Sequence, residues 1–376
     1  MSLFSPFRVG SLELPNRVVM APLGRARAHV ERREPTPSVV AYYVQRASAG
    51  LIISEATHVA YDSVSRPGTA AIHSEGQVEA WWRVTDAVHA AGGRIFQQLF
   101  HLGRKADPAR LPYVGLPKAP SAIAAIGEFS TPAGPRPFPV PRPLLTEEVA
   151  GVVEEFRTAA VNAQRAGFDG VEIHGANGFL IDQFLRDAAN QRADGYGGAI
   201  QNRGRFLLEV VDAIIQVFGA GRVGVRISPH AKADGMGDSA PRETFEYVAR
   251  QLAARGIAYL HLIEPVGTAE AERLGPIVRR AFSGPLVVCG GFERASAQAA
   301  LDEDRADLIA FGVGFIANPD LVERLRRNAP WNTPDTATFY SGGDKGYIDY
   351  PFLSESPRQA TTQAALASPE LRPRLL

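Results

Sequence analysis

Cysteine is nearly absent: Cys289 is the one example in 376 residues. A single thiol cannot close a disulfide within the chain, nor can it build a cysteine-rich zinc or iron–sulfur site. Neither sign of charge is in excess, because Lys+Arg and Asp+Glu both count 40. Bulk attraction to nucleic acid or to an anionic membrane is therefore not expected. No apolar run approaches the roughly 18 residues that a membrane-spanning helix needs. The opening Met1-Ser2-Leu3-Phe4-Ser5-Pro6 lacks a basic start followed by an apolar stretch, so no signal peptide is expected. What is present, 45% hydrophobic and 21% charged residues, is ordinary for a globular protein. The expectation is a cytoplasmic chain, monomer or homodimer, with no resident metal.

Eight short runs rich in Val and Ile are separated by longer helical patterns. They are Arg17–Ala21, Leu51–Ser54, Arg94–Leu99, Gly170–His174, Val223–Ser228, Ala258–Ile263, Leu286–Cys289 and Asp307–Phe311. Most are continuously apolar, as parallel strands buried on both faces should be. Helical spacing of apolar residues predicts helices over Glu75–Ala91, Glu147–Ala166 (with Thr146 as N-cap), Ile200–Phe218, Arg242–Ala254, Ala269–Ala281 and Arg294–Asp302. Eight β–α alternations predict one α/β domain over the whole chain, a (β/α)8 TIM barrel. A doubly wound open sheet is the other architecture this rhythm allows. Residues Phe7–Leu14 read as a hairpin ahead of the first barrel strand. The Pro- and Gly-rich stretch 103–143 after strand three reads as an insertion capping the barrel mouth, and 352–376 as a C-terminal tail.

Catalytic groups of such barrels lie where strands end at their C-terminal side. Strands seven and eight run into Gly290-Gly291-Phe292 and Gly312-Val313-Gly314. Backbone amides exposed by two such glycine turns can cradle a phosphate. Arg226, inside strand five, is a cation that needs an anionic partner, either a ligand or a neighbour such as Glu172 or Glu264. His174 and Asn177, just past strand four, can both donate hydrogen bonds to one oxygen. Two donors on a carbonyl would stabilise the enolate formed when hydride adds to a conjugated alkene.

These residues belong to a longer ordered set. The runs Leu-Pro-Asn-Arg-Val-Val-Met-Ala-Pro-Leu (14–23), Gln-Leu-Phe-His-Leu-Gly-Arg (98–104) and Val-Glu-Ile-His-Gly-Ala-Asn-Gly-Phe-Leu (171–180) are part of it. So are Asp-Gly-Tyr-Gly-Gly-Ala-Ile-Gln-Asn-Arg-Gly-Arg-Phe (194–206) and Phe-Ile-Ala-Asn-Pro-Asp-Leu (315–321). In this order, over nearly the whole chain, they resemble the old yellow enzyme family. The resemblance implies noncovalent FMN, NADPH or NADH as reductant, and reduction of activated C=C bonds in enones, enals, maleimides or nitroalkenes. By position it implies that Ala21, Pro22, Leu23, Gly24 and Ala56 line the flavin, and that Gln98 and Arg226 meet its pyrimidine edge. His174 and Asn177 would hold the substrate oxygens. Gly290, Gly291, Phe292, Gly312 and Val313 would surround the phosphate, and Phe100, Phe339 and Tyr340 would shape the substrate pocket.

Four positions depart from the family pattern. Phe179 stands where a Tyr proton donor is usual, and Phe has no exchangeable proton. Val313 stands where an Arg often clamps phosphate, Gly24 where Thr or Cys is usual, and Phe100 where Trp is frequent. The departures leave open a flavin-dependent isomerase or a weakened, noncatalytic flavin barrel. The phosphate loops alone would also suit a non-redox barrel lyase, though no Schiff-base Lys or metal cluster stands at the strand ends.

Overall fold

The computed structural model describes residues 1–64, 66–111, 115–131 and 134–353, so the expected tail over 352–376 falls almost wholly outside the described residues. Eight parallel strands close on themselves: β1 (Val18–Met20), β2 (Leu51–Ile53), β3 (Ile95–Phe100), β4 (Gly170–Gly175), β5 (Val223–Ile227), β6 (Tyr259–Ile263), β7 (Leu286–Cys289) and β8 (Leu308–Phe311). β8 pairs with β1, and β3 with β4, so the ring has no free edge and the open-sheet alternative is excluded. All eight expected strands are found, displaced by at most a residue or two at their ends.

Inward and outward side chains alternate along each strand, which divides the core in two. Val19, Leu51, Ile53, Phe96, Tyr259, Val287, Leu308 and Ala310 meet inside the barrel. The larger cluster fills the space between strands and surrounding helices, with Trp81, Phe156, Phe206 and Phe245 among its members. The hairpin Phe7–Val9 with Leu12–Leu14 forms as expected, and its Val9 and Leu14 join the inner cluster, flooring the barrel at its N-terminal end. Each such aliphatic side chain contributes about 1.5–3 kcal/mol by leaving water.

Each strand leads into a barrel helix: α1 (Pro37–Gln45), α2 (Glu75–Ala90), α3 (Thr146–Arg165), α4 (Ile200–Phe218), α5 (Pro241–Ala254), α6 (Gly275–Ala281), α7 (Arg294–Asp302) and α8 (Leu321–Arg327), with a short extra helix, Leu180–Leu185, after β4 and another, Val313–Ala317, after β8. Two expectations need correction. Thr146 is inside α3 rather than its cap: Leu145 is the cap residue, its amide donates to Glu148 at 2.7 Å, and the Thr146 hydroxyl donates to Asp194 at 2.6 Å. The helix expected over Ala269–Ala281 breaks into a turn at Glu270–Glu272 and α6, because the Glu264 carboxylate accepts from the amides of Leu274 and Gly275 and starts α6 there.

The insertion after β3 is tied to the loop after β5. Arg104 donates to the Ile123 carbonyl at 3.3 Å and the Asp234 carbonyl at 3.0 Å, and the Ile126 amide donates to that same Asp234 carbonyl at 3.0 Å. Its described residues also form a small hairpin, Glu128–Thr131 with Gly134–Pro137. Among the described residues no helix is long and apolar enough to cross a membrane.

Candidate active site

Strand register brings the polar residues together. His174 on β4 pairs with Arg226 on β5, which pairs with His261 on β6. One step below, Glu172 on β4 pairs with Gln98 on β3. Glu172 is fully buried and accepts three hydrogen bonds, from Gln98 Nε2 at 2.7 Å, Tyr259 OH at 3.1 Å and His261 Nδ1 at 2.8 Å. The opposite position on β5 must be Gly224, since a Cβ there would fall 2.3 Å from the Tyr259 ring. Burial pushes the Glu172 carboxyl up, but His261, Arg226 and Gln98 bring it below its ordinary range. Burial pushes His261 down, and the Glu172 charge raises it above the usual imidazole value. The two form an ion pair inside the barrel.

Arg226 is buried but salt-bridged to neither Glu172 nor Glu264. Glu264 is engaged with His230 at 3.1 Å and with the start of α6. The Arg226 Nε is buried without a hydrogen-bond partner, and its Nη2 lies 3.9 Å from the Cys289 thiol at the end of β7. The guanidinium is thus a cation held at the barrel mouth with donor capacity to spare.

His174 is driven well below the usual imidazole range by burial first, then by Arg226, His261 and Lys105. It is therefore neutral. Its Nδ1 accepts from the Ala176 amide at 3.3 Å, which puts the ring proton on Nε2. Asn177 adopts the left-handed conformation at φ 58° and is exposed. Its amide N–H donates to Ser228 Oγ at 2.8 Å, pinning the turn after β4 to the end of β5. Phe179 packs edge-on against His174, ring centroids 4.9 Å apart, and against Phe100 at 5.1 Å. Three expected site residues therefore form one aromatic corner.

The opposite side of the mouth is backbone and small side chains. Ala21, Pro22, Leu23 and Gly24 follow β1, and Ala56 follows β2. Arg25 fixes the first of these loops: its guanidinium donates to the Phe339 carbonyl at 3.0 Å, the Gly346 carbonyl at 2.8 Å and Tyr42 OH at 3.2 Å. This ties the segment carrying half-buried Phe339 to the loop after β1, while Tyr340 stays exposed under the Arg66 guanidinium. Gly290 admits no side chain, because a Cβ there would fall 1.9 Å from the Glu264 carbonyl oxygen. Gly312 caps the short helix Val313–Ala317, whose first-turn amides have no partner within the helix. Val313 itself is exposed, and the nearby Arg294 is committed to the Leu325 carbonyl at 2.8 Å.

These features fit a flavin mononucleotide. A buried cation with an unbonded Nε and Gln98 suit its anionic ring edge, and the glycine turns suit its phosphate. His261 and Lys105 are further polar residues of this mouth that the strand-end residues alone did not reveal, and Glu172, expected only as a possible partner of Arg226, is bonded to Gln98, Tyr259 and His261 instead. The visible signal was a polar residue interrupting an apolar strand, as His261 does in Tyr-Leu-His-Leu-Ile.

Comparison with known proteins agrees with this fit. Residues 2–332 match the NADH:flavin oxidoreductase / NADH oxidase family. A probable flavin mononucleotide-dependent alkene reductase of Leishmania infantum is 43% identical over 93% of this chain and 97% of its own. The 12-oxophytodienoate reductase 2 of Arabidopsis thaliana is 42% identical over 94% of this chain and 96% of its own. The structure of morphinone reductase in complex with tetrahydroNAD superposes with a TM-score of 0.90 at 46% identity, covering 94% of this chain and 98% of that one. An old yellow enzyme homologue from Zymomonas mobilis gives 0.90 at 43%, covering 94% and 100%. The fold and mouth define a flavin-dependent oxidoreductase on a (β/α)8 barrel. The chain belongs to the old yellow enzyme family, as an FMN-dependent alkene reductase with a nicotinamide reductant. The isomerase, noncatalytic-barrel and lyase alternatives are not favoured.

Proposed function

We propose that the substrates are flat, electron-poor alkenes (enones, enals, maleimides or nitroalkenes) whose activating oxygen is held by His174 and Asn177. Bound FMN, reduced by NADH or NADPH, supplies the hydride. Gln98 and Arg226 hold the ring edge where negative charge accumulates, and the loops Gly290–Phe292 and Gly312–Val313 hold the phosphate. Ala21, Pro22, Leu23, Gly24 and Ala56 pack along the ring. Phe100, Phe179 and Phe339 keep water from the face where substrate lies, and exposed Tyr340 forms the rim.

The observation that carries this reading is a neutral His174 beside an unpaired, buried Arg226. A neutral imidazole can donate its Nε2 proton to a carbonyl oxygen in a hydrogen bond without surrendering it. A donor aimed at developing negative charge contributes about 10²–10³ in rate. The fixed cation, in salt-bridge contact with no described carboxylate, would stabilise the anionic ring edge. Sparse use of cysteine suits a reducing cytoplasm, where the protein would work as a monomer or homodimer.

The test is the visible spectrum of the purified protein, followed by anaerobic NADPH and then 2-cyclohexenone. A flavin spectrum that bleaches with NADPH and recovers with the enone is the expected result. A protein that stays colourless after addition of FMN would sink the assignment.

A further inference from the structure

Saturating a C=C bond takes one hydride and one proton, and among the described residues the corner beside His174 has no phenol to give the proton. Phe179 is a hydrocarbon, Asn177 is an amide, and neutral His174 needs its proton to hold the carbonyl oxygen. Among the described residues the N–H acid at this corner is the ammonium of Lys105, on the turn after β3. Its Nζ lies 4.9 Å from the centroid of the Phe179 ring, over its face. It also donates to the Asn177 carbonyl at 3.3 Å, and would lie 3.9 Å from a Cβ placed on Gly178. The Lys105 side chain is 17% exposed, so it is shielded yet reachable by water. Asp234 forms an ion pair with it from the loop after β5. Asp182 from the helix Leu180–Leu185 and His174 from β4 also feel its charge, and Arg104 shares both acids.

The geometry points to Lys105 as the proton donor of the alkene reduction, standing in for the hydroxyl that Phe179 lacks. This rests on the alkene-reductase reading above. As hydride adds to the carbon β to the carbonyl, the π electrons shift to the α-carbon and the carbonyl oxygen. The Lys105 Nζ–H bond then breaks and a C–H bond forms at the α-carbon, directly or through one water. The amine left behind regains its proton from solvent.

The test separates the two halves of the reaction by anaerobic stopped flow. Lys105→Met removes proton and charge. Lys105→Arg keeps the charge, and with it the pairing to Asp234, but holds its proton too tightly to act as an acid. Both variants are expected to bleach with NADH at the wild-type rate and to reoxidise with 2-cyclohexenone about 10²-fold more slowly. Adding Phe179→Tyr to Lys105→Met should restore the reoxidation rate. Wild-type reoxidation in Lys105→Met, full recovery in Lys105→Arg, or no rescue by Phe179→Tyr would each overturn the assignment. Failure of the wild-type protein to bleach with either NADH or NADPH would instead strike the alkene-reductase reading itself.

Discussion

The two halves of the barrel mouth use opposite materials. From β3 to β6 the inward positions carry Gln98, Glu172, His174, Arg226 and His261, which are buried side chains able to hold charge or donate hydrogen bonds. From β7 round to β1 the mouth consists of Gly290, Gly291, Gly312, Val313, Ala21, Pro22, Leu23 and Gly24, none of them ionisable. The first arc can tune how readily charge develops on a bound ring. The second can only shape and cradle, through backbone amides. Substitutions in the first arc should therefore change rates and stability, whereas those in the second should change affinity or potential.

The sharpest break of this contrast is Arg226→Met. Bleaching by NADH, followed by stopped flow, should slow by about 10²–10³-fold, the usual cost of losing a fixed donor to developing charge. An unchanged rate would remove Arg226 from the chemistry. Glu172→Gln comes next, because it leaves the His261 charge buried and uncompensated. Breaking such a pair typically costs about 3–5 kcal/mol, measurable by urea unfolding.

The same pair gives a pH signature. Glu172 is held below its ordinary 4.5 and His261 above its ordinary 6.5. The carboxylate's contribution is complete above 4.5 and is lost as pH falls through its lower folded value. The imidazolium's contribution is complete below 6.5 and is lost as pH rises through its raised folded value. Wild-type stability should therefore weaken on both sides of that window, and Glu172→Gln should flatten both limbs. Equal pH profiles for the two proteins would contradict the ion pair.

On the glycine side, Val313→Arg should tighten FMN by about 1.5 kcal/mol, roughly tenfold in Kd, by adding a charged hydrogen bond to the phosphate. Fluorescence titration of the apoprotein measures it, and an unchanged Kd would place the phosphate elsewhere. The smallest effect is expected at Gly24, where an added Cβ meets nothing within 4 Å. Gly24→Thr should alter stability by no more than about 0.5 kcal/mol while shifting the flavin potential. A large loss of stability would show that the loop after β1 is tighter than its open space implies.

The barrel was legible in the sequence because parallel strands buried on both faces read as short apolar runs, and six of the eight intervening helices, α2 to α7, leave amphipathic or capped traces, α8 being missed. α1 did not: Pro-Ser-Val-Val-Ala-Tyr-Tyr-Val-Gln is β-branched and aromatic, and only packing of Tyr42 and Tyr43 into the core makes it a helix. Within the site, His174, Gln98 and Arg226 were found because they interrupt or end strands. Their relation to His261 and Glu172 depends on register, which periodicity does not encode. Lys105 was missed for a similar reason, since its meeting with Phe179 joins two loops that only the closed ring brings together.

The hairpin floor has a kinetic consequence. With Val9 and Leu14 sealing the N-terminal end, the reductant and the alkene must reach the ring through the same mouth. They cannot share it, so each must leave before the other enters. Initial rates at several fixed enone concentrations should give parallel double-reciprocal lines against NADH, with each reactant inhibiting at high concentration by occupying the other's turn.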